Sequence, residues 1–101
     1  MKQIKICESD IIGTSFYGYT IITSYNKLKK VLGPPTYENE DSDNKTQFEW
    51  AVETIDGVKG YVYDWKEYRK VKKTENIIWH IGGTDSKSCQ KIKDALKAEL
   101  K

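Results

Sequence analysis

The sequence predicts an α+β domain, a small antiparallel sheet with two helices packed on one face. Three observations predict it. Two stretches near either end of the chain space their apolar residues for a helix. Several others alternate apolar and polar residues with the period of a strand. Three of those strands follow one another directly, which favours an antiparallel meander of about four to five strands. With 101 residues the chain makes one domain, 1–101.

The elements follow in order. KQIKIC puts Ile4 and Ile6 on one face and Lys5 on the other, a short first strand. Gly13 and Gly18 bound GTSFYG, which reads as a loop before a short strand over Tyr19–Ile22. Ser24 caps a helix whose buried side is Tyr25, Leu28, Val31 and Leu32. Gly33 stops that helix and Pro34-Pro35 prevents its continuation. TYENEDSDNK is acidic and turn-rich, a solvated loop.

Phe48, Trp50 and Val52 then alternate with Glu49 and Glu53, and Asp56-Gly57 turns the chain into a return strand carrying Tyr61, Val62, Tyr63 and Trp65. KEYRKVKK is a basic connection, and IIWHI is the next strand. Asp85 or Ser86 caps a last helix striped by Cys89, Ile92, Leu96 and Leu100, with Ala95 beside them. Its lysines fill the opposite face and the last turn, where they suit the helix dipole.

Composition narrows the function. A chain of this size buries roughly two-thirds of its unfolded surface, enough for one core. The net charge of +2 argues against a DNA mimic and against a strongly basic nucleic-acid binder. Arg69 is the only arginine, so forked readout of guanine or phosphate is nearly absent, and direct DNA or RNA binding is not expected. Cys7, Cys89 and His80 lack metal-ligand spacing, and neither a metal nor a cofactor is expected. The first residues lack the apolar run of a signal peptide, and no run reaches the roughly 20 residues of a membrane helix. A soluble protein of a reducing cytoplasm is the expectation.

Candidate site residues gather around two glycine-bearing junctions. Gly82 and Gly83 end a strand just before a helix, where the backbone can approach a ligand and unpaired N–H groups favour an anion. Thr84 and Ser86 add hydroxyls, as does Ser88, and Lys87 adds a charge. The alternative is a plain turn with Asp85 capping the helix and repelling anions. The GxxxxGK[ST] spacing of a P-loop is absent. At the other junction Thr14 and Ser15 offer hydroxyls and Phe16 and Tyr17 offer ring faces, suited to a nucleotide base or ribose. A loop merely anchored by Phe16 explains the same residues.

Alternation places Tyr61, Tyr63 and Trp65 on one face and leaves Asp64 with Val62, near the core or a cavity. It places His80 with Ile78, opposite Ile77, Trp79 and Ile81. His80 is a general acid or base by chemistry, but no nucleophile or carboxylate stands at a diagnostic spacing, so a structural histidine is the simpler reading. No catalytic residue is assigned.

GTSFYGY before a helix, FEWAVETIDG with YVYDWKEY as a hairpin, and WHIGG before a final helix together resemble a family of small uncharacterised proteins of bacteriophages and large DNA viruses. The similarity spans Gly13 through the last helix. It implies a small viral accessory protein working in the host cytoplasm, where such proteins interfere with defence. It carries no functional residue with it. The Lys-, Ile-, Asn- and Tyr-rich composition is compatible with an AT-rich genome.

Three functions stand in order. The first is a non-enzymatic counter-defence binding module that sequesters a nucleotide-derived or other phosphate-bearing signal, held by Thr14, Ser15, Phe16, Tyr17, Tyr63, Trp65, His80, Gly82, Gly83, Thr84, Ser86 and Lys87. The second is a protein-binding inhibitor of a host defence enzyme, anti-CRISPR-like, using exposed aromatics and the acidic residues 38–43. The third is a small phosphoester hydrolase using His80 with Asp64, Thr14 or Ser15. Exposed sheet edges also make a homo-oligomer an open possibility.

Overall fold

The computed structural model describes residues 2–8, 11, 13–38, 47–65 and 71–100. Along the chain they form β1 (Ile4–Ile6), β2 (Ser15–Ser24), α1 (Tyr25–Leu32), β3 (Tyr37–Glu38), β4 (Phe48–Thr54), β5 (Lys59–Tyr63), β6 (Asn76–Gly83) and α2 (Ser86–Glu99). All strand pairs are antiparallel, in the order β1-β4-β5-β6-β2, with the two-residue β3 also pairing with β4. This is the expected α+β sheet with its meander, β4-β5-β6, at the centre. Neither helix is long and apolar enough to cross a membrane.

One core lies between the sheet and both helices. Trp50 of β4 and Trp79 of β6 are fully buried and meet edge to face, with centroids 5.5 Å apart. Each indole N–H has an acceptor: Trp50 donates to the carbonyl of Gly33 and Trp79 to that of Thr23, both at 2.9 Å. These bonds let large rings go into the core without an unsatisfied donor. Leu28 of α1 and Cys89, Ile92 and Leu96 of α2 close over them, all with no exposure. Fully burying each such aliphatic side chain stabilises the fold by roughly 1.5–3 kcal/mol.

Local signals end the elements where expected. Ser24 Oγ accepts from the N–H of Lys27, and Gly33, at φ 87°, closes α1 with its N–H on the Lys29 carbonyl. The β4–β5 turn is a three-residue loop over residues 55–57 whose Gly57 takes φ 88°, the conformation only glycine adopts cheaply. Asp85 caps α2, accepting from the N–H of Ser88 at 2.7 Å.

Three expectations change. GTSFYG is not a loop, because β2 already begins at Ser15 and runs ten residues. Gly18, at φ 91°, sits in a bulge rather than a turn. From Phe16 opposite Gly82 to Thr20 opposite His80, β2 advances four residues while β6 advances two. Next, the acidic stretch begins with a strand, since Tyr37 and Glu38 pair with Glu49 and Phe48. Residues 39–46, and with them most of the acidic segment, lie outside the described residues. Finally, Tyr68 and Arg69 also lie outside them, but Val71 of the basic connection is buried, its N–H bonded to Gln47 Oε1.

Candidate functional site

Both helices occupy one face of the sheet, so the other face is where side chains remain within reach of a partner. Strand register decides which ones share it. Across the sheet, one row reads Tyr37, Glu49, Tyr63, His80 and Thr20, one residue from each of β3, β4, β5, β6 and β2. The neighbouring row reads Ala51, Tyr61, Gly82 and Phe16. On the far side of His80, Ile78 and Ile22 face each other across β6 and β2.

Four rings join on this face. Phe16 stacks on His80 at 4.5 Å and 26°, and Tyr63 meets the other flank of His80 at 5.7 Å. Trp65 stands edge-on to Tyr63 at 6.2 Å. The outer members are the exposed ones, Phe16 at 44% and Trp65 at 40%, and the inner pair is half-buried. The β2 bulge supports this contact: its two extra residues release Phe16 from strict pairing, so its ring reaches the diagonal neighbour.

Charge at the centre of the face is negative. Glu49 lies directly opposite Tyr63, and partial burial pushes its carboxyl above the ordinary range. The Tyr63 hydroxyl is pushed up as well, by burial first and then by Glu49. A partly desolvated carboxylate among rings is an acceptor for ligand N–H groups, such as those on a nucleobase edge.

The two glycine-bearing junctions meet. Ser15 pairs with Gly83 and Phe16 with Gly82, and the Tyr17 hydroxyl donates to the Thr84 carbonyl at 3.3 Å. Thr84, Ser86 and Lys87 are exposed just beyond, and Thr14 lies half-buried at the start of β2. Thr84 Oγ1 and Ser88 Oγ are 3.3 Å apart. Thus the two junctions adjoin, while Ser86 and Lys87 belong to α2 and the rings lie on the face opposite the helices.

The glycines do not act as expected. Gly82 and Gly83 are buried residues of β6, paired on both sides, and neither takes a positive φ. Gly83 faces the helix: a Cβ there would stand 2.9 Å from Cys89 Sγ, so its bare backbone makes room for α2 and not for a ligand. Gly82 lies beneath the rings, its Cβ position 3.5 Å from Tyr63. The helix start is also occupied, since the Asp85 carboxylate takes the amide of Ser88 and that bond holds it below the usual carboxylate range. A fixed negative charge at this end opposes an anion bound to the helix amides.

The pairing of His80 with Asp64 fails on geometry. Asp64 has no exposure, and its Oδ1 accepts from the N–H groups of Gln47 and Phe48, both at 2.8 Å. It ties the end of β5 to the start of β4, while His80 lies between Phe16 and Tyr63 on the ring-bearing face. Sequence reasoning had missed Glu49 and Tyr37 as members of the ring face. Their parity was readable, but which strand lies beside which was not.

Comparison with family models, curated proteins and solved structures finds no match to the chain.

Proposed function

We propose that this protein is a non-enzymatic binding module whose ligand presents a flat, nitrogen-bearing ring, a nucleotide-derived signal that it sequesters. The observation that carries the proposal is the four-ring chain Phe16–His80–Tyr63–Trp65 on the face opposite the helices, with exposed rings at both ends. Stacking on an aromatic side chain contributes about 1–3 kcal/mol per base. Glu49 accepts from the base edge, and Lys87 with the hydroxyls of Thr84, Ser86, Thr14 and Ser15 meets the phosphate. Neither Gly82, beneath the rings, nor Gly83, against the helix, plays a direct part. The biological setting is the one implied by the resemblance: a viral accessory protein that removes a defence signal inside the host cell.

The test is to titrate the purified protein with a panel of linear and cyclic nucleotides by calorimetry, then denature the complex and recover the ligand. Tight binding of one member, released chemically unchanged and lost in a Phe16→Ala/Trp65→Ala variant, supports sequestration. Recovery of an altered nucleotide makes the protein an enzyme and overturns the proposal.

A second reading, an inhibitor that binds a host defence protein, is favoured by Ile22 and Ile78. They face each other across two strands and are 69% and 50% exposed, an aliphatic pair that offers nothing to a nucleotide. A stoichiometric host partner in a pull-down, with no thermal shift by any nucleotide, would favour this reading.

A further inference from the structure

A second surface lies at the edge of the sheet. β2 is the last strand in the order and, among the described residues, pairs only with β6. Along its outer side runs a groove of about 520 Å³, lined by Thr20, Ile21, Ile22 and Thr23, by Lys27 of α1, and by Lys93, Lys97 and Leu100 at the end of α2. Among the described residues that line it, its charge is of one sign: three lysines and no carboxylate. The carboxylates of α2 lie elsewhere. Asp94 accepts from Gln90 and lines a separate hollow beside Ile55, and Glu99 takes the N–H of Gln3.

We infer that the β2 edge is a docking site for an extended acidic segment of a partner protein, which adds to the sheet as a further strand beside Thr20–Thr23. An edge strand offers backbone donors and acceptors that such a segment pairs with, while side chains at alternate positions are read separately. Segment positions pointing to the helix side meet Lys27, Lys93 and Lys97 and are Asp or Glu. Positions pointing to the other side meet the exposed Ile22 and are apolar. The preferred sequence therefore alternates acidic and apolar residues over about four to five positions, the ~3.3 Å rise of a strand matching Thr20 to Ser24. The site ends at Gly18, where the bulge breaks the ladder. A second copy of β2 is the poorer occupant, because edge-to-edge pairing brings six like charges together.

This surface shares Thr20 and Ile22 with the ring-bearing face but none of the four rings, and it stands whether or not a nucleotide binds there. The probe is a fluorescein-labelled peptide alternating Asp and Val over eight residues, followed by anisotropy with the full chain. Binding is expected, at least tenfold weaker for the Lys/Val counterpart and for Lys93→Glu/Lys97→Glu, and lost when the peptide's central amides are N-methylated. Unchanged binding by the N-methylated peptide overturns strand addition, and complete displacement by tripolyphosphate at micromolar concentration makes the groove a small-anion site instead. Failure of the peptide to bind, or a chain that is dimeric in sedimentation and monomeric as Ile22→Lys, also overturns the inference.

Discussion

Phe16 covers the ring of His80, 4.5 Å away and only 26° from parallel, at the point where the first strand of the meander's flank bulges over β6. Two roles are superposed there, packing and display, and substitution separates them. Phe16 is nearly half exposed, so Phe16→Ala should lower stability by only about 1 kcal/mol, the scale of one cross-strand aromatic pair. Nucleotide affinity should fall by about tenfold or more. Urea unfolding beside calorimetry reads both quantities, and undiminished binding would remove Phe16 from the site.

The glycines divide by face, and a three-member series displays the division. A Cβ on Gly60 would lie 2.2 Å from the Gly82 carbonyl oxygen and 2.5 Å from Ile92, so Gly60→Ala must shift backbone. Gly83→Ala meets Cys89 Sγ at 2.9 Å and should cost about 1–3 kcal/mol, as overpacking does. Gly82→Ala meets nothing closer than 3.5 Å and should be close to neutral. Denaturant midpoints should follow the order Gly82→Ala, Gly83→Ala, Gly60→Ala, from most to least stable.

That series also shows where sequence reading stopped. Helical spacing and caps were local, so Ser24, Gly33, Asp85 and the apolar stripes of both helices could be read from the chain. The parity of Trp79 against His80 was local too, and it gave the right faces. Gly83 was different. A glycine pair between strand and helix looks the same whether it cradles a ligand or admits Cys89, and only the helix's approach decides. GTSFYG failed for a related reason: a bulge glycine and a turn glycine both need positive φ, and pairing with β6 tells them apart.

Asp64 should be indispensable to the fold and irrelevant to any chemistry on the ring face. Asp64→Ala would leave the buried amides of Gln47 and Phe48 without their acceptor. Each buried orphan costs roughly 1–3 kcal/mol, so the loss is a large part of the stability of a domain this size. Asp64→Asn retains one carbonyl oxygen and should fall between. A folded Asp64→Asn with unchanged nucleotide affinity and near-wild-type ring-face NMR shifts is the expected pattern.

Glu49 gives the ring face a pH dependence whose sign is fixed. Burial raises its folded pKa above the ordinary carboxylate range, so the folded protein holds this proton more tightly than the unfolded chain. Its contribution therefore declines as pH rises from about the unfolded value through the folded one, and the penalty is complete above both. Glu49→Gln should be slightly more stable than the parent at pH 7, with the difference vanishing near pH 4. If Glu49 accepts from a base edge, the same substitution should weaken nucleotide binding at pH 7 while it stabilises the fold. A variant both less stable and equally competent would contradict the desolvation account and the assigned contact together.

Asp85 tests whether the start of α2 takes part in anion binding at all. Its Ser88 bond depresses its pKa, so it is charged at every pH above the ordinary carboxylate range. The stability it adds is present above the unfolded pKa and is lost as pH falls through the folded one. Asp85→Asn keeps a capping oxygen and removes the charge. If a ligand phosphate lies near Lys87 and Thr84, its affinity should rise about two- to fivefold in Asp85→Asn, the scale of one charge at a helix end, and the gain should shrink with added salt. Inorganic pyrophosphate serves as a control: enhancement shared by nucleotide and pyrophosphate places phosphate at this end, whereas no enhancement for either confines the ligand to the rings.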